Sequence, residues 1–194
     1  MRKIPFLMST LLALAVFCAT TAKAQTPLPN PQVVIATNHG KITVRLFRDK
    51  APVTVENFLA YVDDGFYDGT IFHRVIADFM IQGGGFLPDM TQKPTRDPIV
   101  NESRNRLHNV RGSIAMARTG DPDSATAQFF INQRTNLRLD WSPAEPGYTV
   151  FGEVTDGMSV VDYITTAPVT RVNGMSDVPE EPVIIQSIRR KSLL

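Results

Sequence analysis

Strand-like runs outnumber helical stripes in this chain, and that imbalance restricts what it can fold into more than any other feature. Val33-Val34-Ile35-Ala36-Thr37 is rich in β-branched residues, and Asn38-His39-Gly40 carries turn chemistry. Lys41 to Leu46 then alternates polar with apolar, so the pair predicts a β-hairpin whose second strand has one wet face. Further strand-like runs lie at Ile71 to Ile76, Phe79 to Gln82, Gly112 to Ala117, Gln128 to Asn132, Tyr148 to Val154 and Pro182 to Ile188. Helical spacing occurs twice. Ala51 to Val62 has a proline near its first turn and apolar residues at Val55, Phe58, Leu59 and Val62, with Gly65 to end it. Met158 to Thr165 places Val161 and Ile164 on one side. A doubly wound α/β fold needs a helix in nearly every crossover, so the pattern predicts a mainly β, closed antiparallel structure. It shows no internal repeat and no second domain. Two irregular stretches, Phe86 to Arg111 and Gln133 to Gly147, are longer than ordinary connections, and long ordered loops tend to carry function.

The N-terminal residues read differently. Met1-Arg2-Lys3 precedes a mostly apolar stretch from Ile4 to Ala19, and Ala22-Lys23-Ala24 supplies small residues around a cleavage point, which predicts a secretory signal peptide over 1–24. As a membrane span the apolar part is too short, since spanning takes roughly 20 residues. Cleavage after Ala24 would remove Cys18, the single cysteine of the 194-residue chain, so stability in an oxidising compartment must come from packing without disulfides. The segment also holds three cations and no acids, so the formal charge of +1 becomes −2 on cleavage. That balance gives no sign of a nucleic-acid or anionic-membrane surface. Pro27, Pro29 and Pro31 make 25–32 an extended tether, and the folded domain is expected over 33–190.

One run mixes chemistry that a plain core does not need. Ile71-Phe72-His73-Arg74-Val75-Ile76-Ala77-Asp78-Phe79-Met80-Ile81-Gln82-Gly83-Gly84-Gly85 sets a cation, two phenylalanines, a thioether and an amide in an apolar stretch that ends in three glycines. The glycines are not followed by Gly-Lys-Ser/Thr, and no nucleophile elbow is present, so neither a phosphate loop nor an oxyanion motif is supported. Taken alone, Phe79 and Met80 read as core, Arg74 as a surface cation on an edge strand, and Gln82 as a polar strand end.

In context the run resembles the signature of the cyclophilin family of peptidyl-prolyl cis/trans isomerases. Separate matches lie at Gly112-Ser113-Ile114-Ala115-Met116-Ala117-Arg118, at Ser124 to Asn132, at Leu139-Asp140 and at Tyr148-Thr149-Val150-Phe151-Gly152, so the likeness extends from about Val33 to Ile188. The Gln-Gly-Gly-Gly-Phe ending and Tyr148 look most like bacterial secreted members. The resemblance implies a closed eight-stranded antiparallel β-barrel capped by two α-helices, and a monomer located in the periplasm. It implies action on Xaa-Pro bonds of unfolded or partly folded exported chains, without metal or organic cofactor.

The same resemblance assigns the site. Arg74 is the implied catalytic donor; Phe79, Met80 and Phe130 form the proline pocket; Gln82 reaches the substrate backbone and helps orient Arg74. Ala117 and Arg118 pair with an extended peptide, and His73, Gln128, Leu139 and Tyr148 complete the substrate-binding set. His73 reads as structural rather than as a general base, because rotation about an imide abstracts no proton. One departure has a consequence: where relatives carry an aromatic before Leu139-Asp140, this chain has Arg138, and its only tryptophan, Trp141, falls three residues later. Weak binding of the cyclic peptide cyclosporin is therefore expected.

His39, His73 and His108 are too scattered for a metal-ligand pattern. A hydrolase has no visible nucleophile and base. A binding module that holds proline-containing peptides without turning them over remains the alternative from another class, and the intact set Arg74, Phe79, Met80, Gln82 and Phe130 favours the enzyme.

Overall fold

The computed structural model describes residues 30–192. The expected signal peptide and most of the tether therefore lie outside the described residues. The fold opens with the hairpin read from the β-branched run: β1 (Gln32–Thr37) pairs antiparallel with β2 (Gly40–Leu46), Val33 opposite Val44 and Ile35 opposite Ile42. Val33, Ile35, Ile42, Val44 and Leu46 are all buried, while Lys41 and Arg45 face out, as period-two alternation requires.

Helix α1 (Pro52–Asp63) begins at its proline and buries Val55, Phe58, Leu59 and Val62, the stripe its spacing predicts. Phe58 lies at the centre of the core, its ring 5.3 Å from Tyr67, 5.6 Å from Phe129 and 5.2 Å from Phe151. Ala51 offers no side-chain cap to this helix. Glu102, from the long stretch 86–111, supplies one instead: its carboxylate accepts from Val53 N at 3.1 Å, Thr54 N at 2.8 Å and Thr54 Oγ1 at 2.7 Å.

The remaining strands are β3 (Arg74–Ile76), β4 (Met80–Gly83), β5 (Ser113–Met116), β6 (Phe129–Asn132) and β7 (Val150–Asp156). Helix α2 (Met158–Ile164) follows, burying Val161 and Ile164, then β8 (Val169–Val172), β9 (Met175–Pro179) and β10 (Ile185–Arg190). Eight strands form one curled antiparallel sheet in the order β10-β1-β2-β7-β5-β6-β4-β3.

The expected closed barrel is realised only in part. No continuous ladder joins β3 to β10; the seam is held by Phe72 N donating to Val183 O at 2.9 Å, Ile185 N donating to Thr70 O at 2.7 Å, and a bridge between Ile71 and Ile184. The physical reason is local: Ile71 and Phe72, read as the start of the catalytic strand, turn toward 183–185 and leave a β3 of only three residues facing β4.

A second sheet, β8 with β9, was absent from the strand-like runs. Its signal was Asn173-Gly174, whose φ angles of 50° and 85° make the tight turn of a two-residue hairpin.

Candidate active site

Alternation sorts the central strands into two faces. Val75, Ile81, Ile114, Met116, Phe129 and Ile131 point inward and join the main core. Met80, Ala115 and Phe130 point the other way, where they gather with Val150, Ile76, Phe79, Leu107, Ala117, Leu139 and Tyr148 into a separate apolar cluster. Of the adjacent phenylalanines, Phe129 is therefore core and Phe130 floors an outer groove, a division the Phe-Phe pair alone did not reveal.

Register places the polar groups beside that floor. Arg74 lies directly opposite Gln82, Gln82 opposite Phe130, and Phe130 opposite Ala115, giving one row across four strands. The resulting concavity of about 180 Å³ is lined by Arg74, Phe79, Met80, Gln82, Ala117, Arg118, Phe130, Leu139 and Tyr148. That is room for one small ring rather than a whole ligand. Met80 and Phe130 are nearly wholly buried, so the floor is dry, while the Arg74 side chain is about 40% exposed at the edge.

Nine of the eleven residues named from sequence thus meet in one concavity. The other two, His73 and Gln128, line an adjoining cleft together with Arg74, Gln82, Phe86 and residues of the β8–β9 hairpin. His73 is 4% exposed, its ring centroid 4.6 Å from that of Phe86, and its Nδ1 has no partner. Burial, reinforced by the Arg74 charge and opposed by the Ile71 backbone, pushes its pKa down to about 4. It is a neutral imidazole beneath the cleft, consistent with a structural role. Gln82 lies opposite Arg74, but the hydrogen bond its side chain makes goes to Gln128, Nε2 donating to Oε1 at 3.1 Å. Arg74 forms an ion pair with Asp177 on β9, Oδ2 to Nε 3.7 Å, a residue that sequence reasoning missed along with its hairpin.

The glycines serve packing. Gly84 has φ +82°, and any Cβ there would strike Phe129 and Tyr67; one on Gly85 would strike Gln128, which Gln82 needs close by.

The far rim comes from 133–147. Tyr148 N donates to Leu139 O at 2.9 Å, and the Tyr148 ring meets Phe130 edge-on at 5.6 Å. Arg118 lies 4.6 Å over Tyr148 while donating to Pro146 O at 2.6 Å and Thr119 O at 2.8 Å, so its guanidinium is tied to the loop. Arg138 sits 4.8 Å over Phe79. Trp141, covered by Arg104 at 4.9 Å, does not line this concavity; it borders the neighbouring one, which shares Arg118, Leu139 and Tyr148 with the groove. Among the described residues no group of three or more His, Cys, Asp or Glu could hold a metal ion, and no helix is long and apolar enough to cross a membrane.

Chemically, the groove offers a dry pocket for a small apolar ring, with the Arg74 guanidinium on one side of it and that of Arg118 on the other rim. Residues 32–190 match the family model described as cyclophilin type peptidyl-prolyl cis-trans isomerase. A peptidyl-prolyl cis-trans isomerase of Acinetobacter baylyi is 51% identical over 166 residues, covering 86% of this chain and 88% of the relative. Isomerase B of Escherichia coli is 56% identical over 159 residues, covering 80% and 97%. Among solved structures, a cyclophilin-type isomerase of Cryptosporidium parvum superposes with a TM-score of 0.74 at 30% identity, covering 85% of this chain and 99% of the other. The same protein, solved in the presence of the dipeptide Ala-Pro, gives a TM-score of 0.73.

Proposed function

Because this chain belongs to the cyclophilin-type peptidyl-prolyl cis/trans isomerases and is an isomerase of Xaa-Pro bonds, we propose that Arg74 is its catalytic donor and the Phe79–Met80–Phe130 floor its proline pocket. Rotation about the imide is opposed by a barrier of ~18–20 kcal/mol, because twisting destroys conjugation. In the twisted state the nitrogen becomes pyramidal and gains a lone pair that accepts a hydrogen bond. A guanidinium aimed there acts only on the twisted state, the condition for lowering a barrier rather than merely binding substrate. Turnover in the common range of 1–10³ per second, against uncatalysed exchange over tens to hundreds of seconds, requires about 3–7 kcal/mol. One or two charge-assisted hydrogen bonds in a dry site supply that much.

The observation that carries this reading is the row Arg74–Gln82–Phe130, which sets the one guanidinium on the outer face of β3 beside an almost fully buried apolar floor. The Ala-Pro dipeptide present with the structural relative supports a proline ring as occupant. Arg74→Ala should lower kcat/KM on a short Xaa-Pro peptide by about 10²–10³-fold, by analogy with the loss when one donor to a developing oxyanion is removed. Arg74→Lys should restore little, since an ammonium lacks the planar fork. Wild-type turnover in Arg74→Ala would end the assignment.

We propose a cellular setting as well. The protein acts as a monomer on proline-containing stretches of unfolded or partly folded exported polypeptides in the periplasm, assisting their folding, with no nucleic acid or membrane partner after signal cleavage. Supporting it are the cationic, apolar and small-residue pattern of 1–24 and a cleaved chain free of cysteine. N-terminal sequencing of the protein recovered from a bacterial periplasmic fraction should begin at Gln25; retention in the cytosol at full length would defeat it.

A further inference from the structure

The β8–β9 hairpin is built irregularly where it meets the groove. Thr170 pairs with Val178 and Val172 with Met175, so Ser176 and Asp177 together oppose the single residue Arg171, a β-bulge. Asp177 has φ +62°, a left-handed conformation that aspartate and asparagine tolerate better than other side chains. Bulges of this kind re-aim a side chain, and this one brings Asp177 Oδ2 to 3.7 Å from Arg74 Nε. The hairpin is itself anchored: Glu180 N donates to Pro168 O at 2.9 Å, Arg171 donates to Ser176 Oγ at 3.1 Å, and Val178 is buried. No other acidic group of the described residues forms an ion pair with Arg74, and Gln82 is engaged with Gln128.

Resting on the assignment of Arg74 as donor, we propose that Asp177 is a positioning residue for it. The carboxylate attracts the Nε edge of the guanidinium, which turns the Nη edge toward the groove that Arg74 lines and narrows the rotamers of a long side chain before substrate arrives. At 3.7 Å the pairing is electrostatic attraction rather than a hydrogen bond, so it guides the arginine without consuming the N–H groups that the twisted imide needs.

Asp177→Asn tests this, because asparagine keeps the left-handed turn and the side-chain shape while removing the charge. In an isomerisation assay on an Xaa-Pro peptide at low salt, kcat/KM should fall by about 2–5-fold, the range of a half-exposed ion pair, with the loss in kcat rather than KM. The difference from wild type should shrink in 1 M salt, where the screening length is about 3 Å, and Asp177→Glu should recover part of the activity. In an Arg74→Ala background, Asp177→Asn should have no further effect. Unchanged or raised activity in Asp177→Asn, an effect insensitive to salt, or the same loss in the Arg74→Ala background would overturn the proposal. Activity that survives Arg74→Ala would instead refute the donor assignment beneath it.

Discussion

His73 makes the stability of this protein depend on pH in a window where no other buried group of the described residues has a shifted value. Its imidazole is 4% exposed, lacks a partner at Nδ1 and neighbours the Arg74 guanidinium, so the native state resists its protonation until about pH 4. The unfolded chain takes up that proton near the ordinary value of 6.5. Between those values the unfolded state binds more protons, so stability is complete above about pH 6.5 and is lost as pH falls toward 4. At 1.36 kcal/mol per unit, the loss reaches about 2 kcal/mol by pH 5 and about 3 kcal/mol by pH 4. Asp63, Asp68 and Asp162, each held below 3.8 by hydrogen bonds from arginine, add their own losses only at more acid pH. Urea unfolding at pH 7.5, 6.5, 5.5 and 5 should therefore show a decline in wild type that His73→Gln lacks, whatever the variant's absolute stability. Wild-type stability that stays flat from pH 7.5 to 5, or a His73→Gln variant that declines in parallel with wild type, would refute the reasoning.

Glu102→Ala removes the three bonds that cap α1 and should cost about 1–2 kcal/mol in denaturant unfolding while leaving the groove residues in place; a change under a few tenths would show that water caps the helix equally well. Arg138→Trp should raise cyclosporin affinity at least about tenfold by calorimetric titration, because it replaces a charged rim group over Phe79 with an apolar ring able to bury the ligand's surface. Tight stoichiometric inhibition of the unmodified protein would defeat that expectation.

The sequence displayed what depends on period and on chain-local chemistry. Val55, Phe58, Leu59 and Val62 showed the buried face of α1, and Lys41 to Leu46 showed the two-faced strand. The groove was legible through motifs, which named Arg74, Phe79, Met80, Gln82 and Phe130 before any geometry existed. What the sequence concealed arises from distance. The seam between Thr70–Phe72 and Val183–Ile185, the Glu102 cap on α1 and the approach of Asp177 to Arg74 each join segments dozens of residues apart. No local propensity encodes such pairs, since each partner alone is an ordinary loop or strand-end residue.

The groove's two walls show how such concealed contacts decide function. Phe79 belongs to the wall that carries Arg74, and Arg138 and Leu139 to the opposite loop, yet all must keep one spacing for the pocket to fit a ring. A buried amide chain sets it. Asn132, fully buried, donates to Asn109 Oδ1 at 3.1 Å and to Ser113 Oγ at 2.9 Å; Asn136 donates to Asn132 Oδ1 at 2.8 Å and to Phe79 O at 3.0 Å. Asn109 in turn donates from its backbone and side chain to Asp140 Oδ1, at 2.7 and 2.9 Å, which fixes the residue after Leu139. Polar side chains buried this deeply tolerate only the geometry that satisfies them all, because each orphaned group would cost about 1–3 kcal/mol. Apolar packing alone would permit the loop to slide on the Phe79 surface, whereas these directional bonds hold Arg138 over that ring and Leu139 opposite the floor. Substitution at Arg138 therefore changes what the rim presents to a ligand without changing where the rim stands.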